Sequence, residues 1–168
     1  ILPQKVKLIA GLLYNESVDS SEVLKILSDL FGKIDFSTAP YLFKYSDYYD
    51  KEMGQTKFRQ FISFENLVEM DILPDIKIKT NEIECNFSTM DKRNINIDPG
   101  YIELGKLVLA STKNYTHRIY IGKGIFAEPT LQYFKKTYTS WPFSYPDYSD
   151  EFAVSFFNKV REKYKTQL

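Results

Sequence analysis

The chain has 168 residues, of which 43% are hydrophobic and 26% charged, and these fractions exclude a fibrous or largely disordered protein. Lys and Arg number 22, as do Asp and Glu, and this zero net charge disfavours a protein that binds nucleic acid mainly through phosphate contacts. The single cysteine, Cys85, excludes an internal disulfide and a thiolate zinc cage within one chain, and we expect it to be buried on a helix.

The length is that of one ordinary domain, so we predict a single domain over residues 1–168. No apolar run approaches the roughly 20 residues of a membrane span. The opening letters, ILPQKVK, lack the charged and apolar regions of a secretion signal. Together with the lone cysteine, these features predict a cytoplasmic protein without a membrane segment.

The first third of the chain predicts a strand, a helix and a second strand. Residues 5–14 form an apolar run that suits a strand covered on both faces at the centre of a sheet. The helix begins near Asp19, which has the chemistry of an N-cap, and ends at Gly32. Residues 34–43 then alternate and meet Pro40, which indicates a strand that is interrupted or lies near an edge.

The middle of the chain predicts a loop, a strand and a helix. Residues 44–56 are rich in tyrosine and acidic residues and have no clean period, which is typical of a functional loop. Residues 57–68 alternate with aromatic residues on both faces, as a strand does. A second helix begins near Pro74, since proline is favoured in the first turn of a helix.

The last part of the chain predicts mainly strands. We expect a strand over 93–97, a tight turn at Asp98-Pro99-Gly100, a strand from Lys106, and a closing helix. Residues 102–110 also suit a short helix. The first six elements follow the order of a ferredoxin-like core. We therefore predict an α+β fold with a ferredoxin-like βαββαβ core, an antiparallel β-hairpin extension and a C-terminal helix.

The glycines of the hairpin resemble a dinucleotide motif but lack its context. Gly122 and Gly124 with Ala127 match the spacing GxGxxA, which needs a helix to begin there. Strand residues and Pro129 follow instead, so we predict a hairpin bend. No GxxxxGK[ST] string occurs, which leaves no P-loop nucleotide site.

The only histidine, His117, precedes this bend among charged residues. A histidine can serve as an acid or base near neutral pH, or it can be structural. If the hairpin bends at Lys123, Arg118 lies opposite Glu128, and a simple ion pair would explain both. That pair leaves Lys113 and His117 unexplained.

Three carboxylates elsewhere are further candidates. Asp98 either closes a turn or serves as a base or metal ligand, and Asp47 and Glu52 stand in the tyrosine-rich loop. One histidine and one cysteine make a zinc site improbable, whereas carboxylates leave a magnesium site open.

Several long strings of the chain resemble one prokaryotic family, catalogued as a domain of unknown function, DUF4416. They include YSDYYDKEMG, IKIKTNEIE, NINIDPGYIELGKLVLASTKNYTHRIYIGKGIFAEPTLQY and WPFSYPDY, and the likeness runs through nearly the whole chain. The resemblance implies a single-domain member but no established activity, substrate or cofactor. It also implies the following motif positions: Asp47, Tyr48, Glu52, Gly54, Lys79, Asn81, Asp98, Gly100, Tyr101, Lys113, His117, Arg118 and Glu128.

We therefore predict a polar site for an anionic, phosphate-bearing small molecule. Lys113 and Arg118 would hold the anion, and His117 with Asp98 would be catalytic. The remaining expected ligand-binding residues are Tyr120, Glu128, Asp47 and Glu52.

A non-catalytic binding module is the alternative. It would stack single-stranded RNA on an exposed aromatic sheet face that includes Phe58, Phe64 and Tyr120. The tyrosine-rich loop could instead bind a protein partner. The sequence leaves the oligomeric state open.

Overall fold

The computed structural model describes residues 2–168, and Ile1 of the predicted domain lies outside them. In this part of the chain, an antiparallel sheet of nine strands is combined with five helices. The strands are β1 (Val6–Asn15), β2 (Ile34–Ser37), β3 (Tyr41–Leu42), β4 (Lys57–Val68), β5 (Ile95–Ile102), β6 (Lys106–Ser111), β7 (Ile119–Gly122), β8 (Ile125–Phe134) and β9 (Thr137–Ser140). The helices are α1 (Ser20–Phe31), α2 (Asp50–Met53), α3 (Leu73–Asn86), α4 (Pro146–Ser149) and α5 (Glu151–Gln167), and a 3-10 turn (Met70–Ile72) precedes α3.

The sheet confirms the predicted α+β class. Its strands follow the order β2-β4-β1-β5-β6-β8-β7, with β3 paired to β4 and β9 paired to β8. Every one of these pairings is antiparallel. The prediction that β1 is central is correct, and β2 lies at an edge as expected. Within residues 2–168, no helix is long and apolar enough to cross a membrane.

Helices cover both faces of the sheet. Alternate residues of β1 point to opposite faces, as the period of a strand requires. Leu8 and Leu12 belong to a core with Leu27 of α1 and Ile76 of α3, whereas Ile9 belongs to a second core with residues of α5. The predicted two-helix layer is therefore joined by a third helix on the opposite face.

The predicted helix limits are correct, but the expected burial of Cys85 is wrong. The Asp19 side chain accepts the backbone N–H of Ser21 at the start of α1, and the Gly32 N–H donates to the Ser28 carbonyl at its end. Cys85 lies on α3 with its side chain exposed. The face of α3 that contacts the sheet is formed by its neighbours, including Glu84.

The predicted turn at Asp98-Pro99-Gly100 is wrong, because all three residues lie inside strand β5. Gly100 serves a close approach: a Cβ built there would overlap the carbonyl oxygen of Val108 on β6. Pairing between β5 and β6 begins only at Gly100, so the missing N–H of Pro99 breaks no ladder bond on that side. Asp98-Pro99-Gly100, a sequence that favours a turn, therefore lies where the hydrogen-bond ladder between β5 and β6 ends.

Before Gly100, strand β5 is not paired with β6, and α3 supplies the missing partners. Ile97 of β5 donates its N–H to Glu84 Oε1 at 2.7 Å and accepts from Lys77 Nζ at 2.9 Å. Both side chains are buried. Two side chains of α3 thus take the place of a neighbouring strand.

The predicted hairpin bend is correct. Gly122, Lys123 and Gly124 all have positive φ, at 101°, 55° and 78°, a conformation that favours glycine. Ile119 pairs with Ala127, and the adjacent residues Arg118 and Glu128 form the expected ion pair through their side chains. Residues 106–111 form β6, so the alternative of a helix over 102–110 is wrong.

Candidate functional site

A cavity of about 690 Å³ opens where β5 and β6 separate. Asn96 and Asp98 border it from β5, and Leu109 to Ser111 border it from β6. Its other walls come from β4, β8, α3, α4, the tyrosine-rich loop and the segments that precede β5, β7 and α4. Their lining residues are Phe43, Tyr45, Ser46, Tyr48, Tyr49, Arg59, Lys77, Asn81, Glu84, Arg93, Thr112, Lys113, Tyr115, His117, Arg118, Glu128, Phe143, Tyr145, Pro146, Asp147 and Tyr148.

His117 is held firmly in the wall of this cavity. Its Nε2 lies 3.0 Å from Glu128 Oε2. Its ring stacks on Phe143 at a centroid distance of 4.1 Å. The ring of Tyr115 is nearly parallel to that of His117, at a centroid distance of 6.2 Å. Glu128 Oε2 also accepts from Arg118 Nε at 2.7 Å. From this network we assign the proton of a neutral imidazole to Nε2, which leaves Nδ1 as an acceptor.

Arg118 is committed to neighbouring protein groups. Besides Glu128, its guanidinium donates from Nη1 to Ser111 Oγ and the Lys113 carbonyl oxygen, both at 2.9 Å, and from Nη2 to Tyr145 OH at 2.8 Å. The side chain is also buried. Arg118 therefore orients Glu128, and through it His117, rather than presenting a free fork to a ligand.

Lys113 lies at the mouth of the cavity. Its ammonium donates to Tyr48 OH at 2.5 Å, and this hydrogen bond and positive charge lower the pKa of Tyr48. No carboxylate of residues 2–168 forms an ion pair with Lys113. Its charge is therefore available to a ligand.

Asp98 lines the cavity beside buried groups of α3. Its Oδ2 accepts from Asn96 Nδ2 at 2.8 Å, and its Oδ1 lies 3.8 Å from Lys77 Nζ. Nearby, burial raises the pKa of Glu84, which accepts the Ile97 N–H. The Lys77 ammonium thus lies between a backbone carbonyl and the Asp98 carboxylate.

Three of the predicted site residues lie outside the lining. Asp47 is exposed in the tyrosine-rich loop, and Tyr120 is exposed on the edge strand β7 against Phe126. Glu52 accepts from Arg93 Nε at 2.7 Å and Nη2 at 3.0 Å, and these bonds lower the pKa of Glu52. Glu52 therefore acts on the cavity only through the arginine that lines it.

The sequence interpretation missed the innermost residues, Arg59, Asp147 and Tyr148. Arg59 donates to Asp147 Oδ2 from Nε at 2.8 Å and also from Nη2, and both residues are 4% exposed. An arginine within the aromatic strand KFRQF was the available signal, since a buried guanidinium needs a partner. Its partner is 88 residues away in the chain, so spacing alone could not identify it.

The carboxylates of the cavity do not form a metal site by themselves. Within residues 2–168, no group of three His, Cys, Asp or Glu side chains is arranged to hold a metal ion. Those that line the cavity face cationic side chains instead. The magnesium site that the sequence left open therefore has no set of three such ligands among residues 2–168.

A family model described as "Domain of unknown function (DUF4416)" matches residues 4–164. The chain belongs to this family. The match includes every residue that lines the cavity, so the cavity lies wholly within the DUF4416 domain. Comparison with curated proteins and comparison with solved structures gave no match.

Proposed function

We propose that the cavity of this DUF4416 protein binds a small anionic molecule that carries a phosphate group, and that His117 exchanges a proton with it. One observation carries the proposal: Lys113, His117 and Asp98, which are separated in the chain, border the same cavity. A cleft with convergent polar groups is the usual form of a small-molecule site.

The charge of the lining supports an anionic ligand. Four cations of the lining lie within ion-pair distance of four carboxylates of the lining, and Lys113 is the cation left over among the residues that the structure describes. The pairs are Arg59 with Asp147, Lys77 with Asp98, Arg93 with Glu84, and Arg118 with Glu128. The exposed ammonium of Lys113 is a point charge suited to a phosphate at the mouth.

The surroundings of His117 support a role as acid or base. Glu128 fixes the Nε2 side of the ring, and Phe143 covers one of its faces. Nδ1 can then accept a proton from a bound ligand, while the Glu128 carboxylate stabilises the imidazolium that forms. Asp98, the other residue that the sequence predicts to be catalytic, lines the same cavity.

The single-stranded RNA alternative is less well supported, because only Tyr120 of its three expected rings is exposed, at 60%. Phe64 is 1% exposed and packs against Phe31 of α1, and Phe58 packs against Tyr14. A protein partner is better supported, because Tyr48 is 63% exposed at the cavity mouth. A partner of that kind would cover the mouth without needing His117.

We also propose a specific topology for the sheet and a cellular location for the protein. The strand order β2-β4-β1-β5 with helices α1 and α3 supports a ferredoxin-like βαββαβ core, to which β6 to β9 add further strands. A single domain, a cytoplasmic location and a prokaryotic source are proposals of the same kind, supported by the length, the lone cysteine and the family.

A thermal-shift screen tests the ligand proposal. Phosphate-bearing metabolites, nucleotides and divalent cations are added to the parent, His117→Ala and Lys113→Ala proteins. We expect at least one phosphate-bearing compound to raise the melting temperature of the parent and to lose most of that effect in both variants.

Lys123→Ala is the matched control, because Lys123 is exposed on the hairpin, pairs with Asp75 and lies outside the cavity. It should retain the full shift. A compound that stabilises parent and cavity variants equally would contradict the proposed site.

A further inference from the structure

Two buried polar atoms of residues that line the cavity have no hydrogen-bond partner within residues 2–168. They are Nη1 of Arg59 and the hydroxyl of Tyr148, and both residues line the cavity. Tyr148 is 1% exposed. A buried polar group without a partner costs free energy comparable to a lost hydrogen bond, so such groups need a specific explanation.

The guanidinium of Arg59 is fixed in place and has one end unused. A single carboxylate oxygen of Asp147 accepts hydrogen bonds from both Nε and Nη2 of Arg59. The rings of Phe43, Phe61 and Tyr148 lie 5.8, 5.3 and 5.1 Å from its central carbon. The ion pair and the rings hold the guanidinium rigidly, and Nη1 is the only one of its three nitrogens without a partner among the described residues.

The hydroxyl of Tyr148 is also held in one position. Its ring contacts Phe61 and Phe157. A Cβ built on Gly11 would overlap the hydroxyl oxygen, so the absence of a side chain at Gly11 gives the hydroxyl its place on the sheet. Burial raises the pKa of Tyr148 well above its ordinary value, so the hydroxyl keeps its proton and can donate.

The two other buried polar atoms without a partner in the described part of the chain lie on residues outside the cavity lining. The Tyr41 hydroxyl and Trp141 Nε1 are buried without partners but do not line the cavity. Arg59 and Tyr148 alone combine both properties. Two fixed donors bordering one cavity suit an oxygen acceptor that comes from a ligand.

We infer that the inner end of the cavity is a subsite for an anionic oxygen of the ligand, carboxylate or phosphoryl, which accepts hydrogen bonds from Arg59 Nη1 and the Tyr148 hydroxyl. This inference rests on the proposed function and adds a second recognition point to it. The ligand would extend from Lys113 and His117 at the mouth to Arg59 inside. Hydrogen bonds that involve a charged partner are the stronger kind, so this subsite would contribute strongly to affinity.

Three tyrosine-to-phenylalanine variants test the subsite. Tyr148→Phe removes the proposed donor, Tyr41→Phe removes an unpartnered hydroxyl outside the cavity, and Tyr164→Phe removes a hydroxyl that donates to the Lys5 carbonyl at 2.7 Å. Thermal unfolding is recorded without additive, with inorganic phosphate and with acetate, against sodium chloride at equal ionic strength. The two anions distinguish a phosphoryl from a carboxylate group.

We expect the parent and Tyr41→Phe to be stabilised alike by phosphate or acetate. Tyr148→Phe should need about tenfold more of the same anion for an equal shift, because it loses a hydrogen bond to a charged group. Without additive, Tyr148→Phe should melt no lower than the parent, whereas Tyr164→Phe should melt lower.

The contradicting outcomes are distinct. If Tyr148→Phe melts lower than the parent without additive, its hydroxyl already has a partner and the inference fails. If Tyr148→Phe responds to the anions as the parent does, the inference fails while the proposed function stands. If neither anion stabilises the parent beyond sodium chloride, the proposed anion site fails, and the subsite fails with it.

Discussion

The two edges of strand β5 differ in what completes them. Toward β1 the strand is paired from Ile95 to Ile102, and backbone groups supply the partners. Toward β6 it is paired only from Gly100 onward, and the open part is completed by Lys77 and Glu84 of α3. One edge is an ordinary sheet, whereas the other opens into a cavity lined by charged side chains.

The difference shows how an antiparallel sheet can make room for a site. A continuous ladder leaves no space between neighbouring strands, since they lie roughly 4.8 Å apart. Where the ladder stops, buried backbone groups still need partners. Charged side chains that provide them also bring polarity into the interior of the protein.

Replacing Lys77 should give the largest effect. Lys77→Met leaves the Ile97 carbonyl and the Asp98 carboxylate without their buried partner, and we expect a loss of about 3 kcal/mol in the free energy of unfolding. Urea denaturation measures this loss. The control is Lys79→Met on the exposed side of α3, where Lys79 pairs only with Glu82. Equal effects of the two substitutions would contradict the role of Lys77.

A methyl group at Gly100 should have a smaller effect on the point where β5 and β6 meet. Gly100→Ala places a Cβ against the Val108 carbonyl, and we expect a loss of about 2 kcal/mol from the forced shift of β6. Gly105→Ala is the matched control, because a Cβ there has open space. Urea denaturation measures the stability of both variants. Equal stability of Gly100→Ala and Gly105→Ala would contradict the close approach of β5 and β6 at Gly100.

Loss of the Glu52 charge should have the smallest effect, and one that depends on pH. Hydrogen bonds from Arg93 lower the pKa of Glu52 below its ordinary value of 4.5. The ion pair therefore stabilises the fold fully above pH 4.5. This contribution is lost as the pH falls through the lowered pKa of the folded protein. Glu52→Gln should therefore reduce the free energy of unfolding by about 0.5–1 kcal/mol at neutral pH. The difference from the parent should shrink in acid, and a difference that grows as pH falls would be contradictory.

Local features of the fold could be predicted from the sequence because they depend on neighbouring residues. Asp19 and Gly32 delimit α1, and the hairpin bends at Lys123, since capping and positive φ are properties of short segments. The segment Asp98-Pro99-Gly100 was mispredicted for the same reason. Its conformation depends on the close approach of β6, and the turn preferences of three neighbouring residues contain no information about that distant strand.

The candidate site was predicted in part. Arg118 and Glu128 were placed together because they lie across a short hairpin. Arg59 and Asp147 were missed because a fold had to bring them together from distant parts of the chain. Tyr120 was expected beside Arg118, because residues two apart on a strand share a face. Arg118 instead precedes β7 and lines the cavity, whereas Tyr120 on the edge strand faces solvent.

The most direct test of an anion site beside His117 is an NMR titration of its imidazole, because the chain contains one histidine and its ring signals need no assignment. Parent and Lys113→Ala proteins with labelled histidine are titrated with inorganic phosphate and, separately, with sodium chloride at equal ionic strength. We expect the parent signals to shift to saturation with phosphate alone, and the same shift in Lys113→Ala to require more phosphate. Signals that do not respond to phosphate, or that respond equally in the variant, would contradict the account.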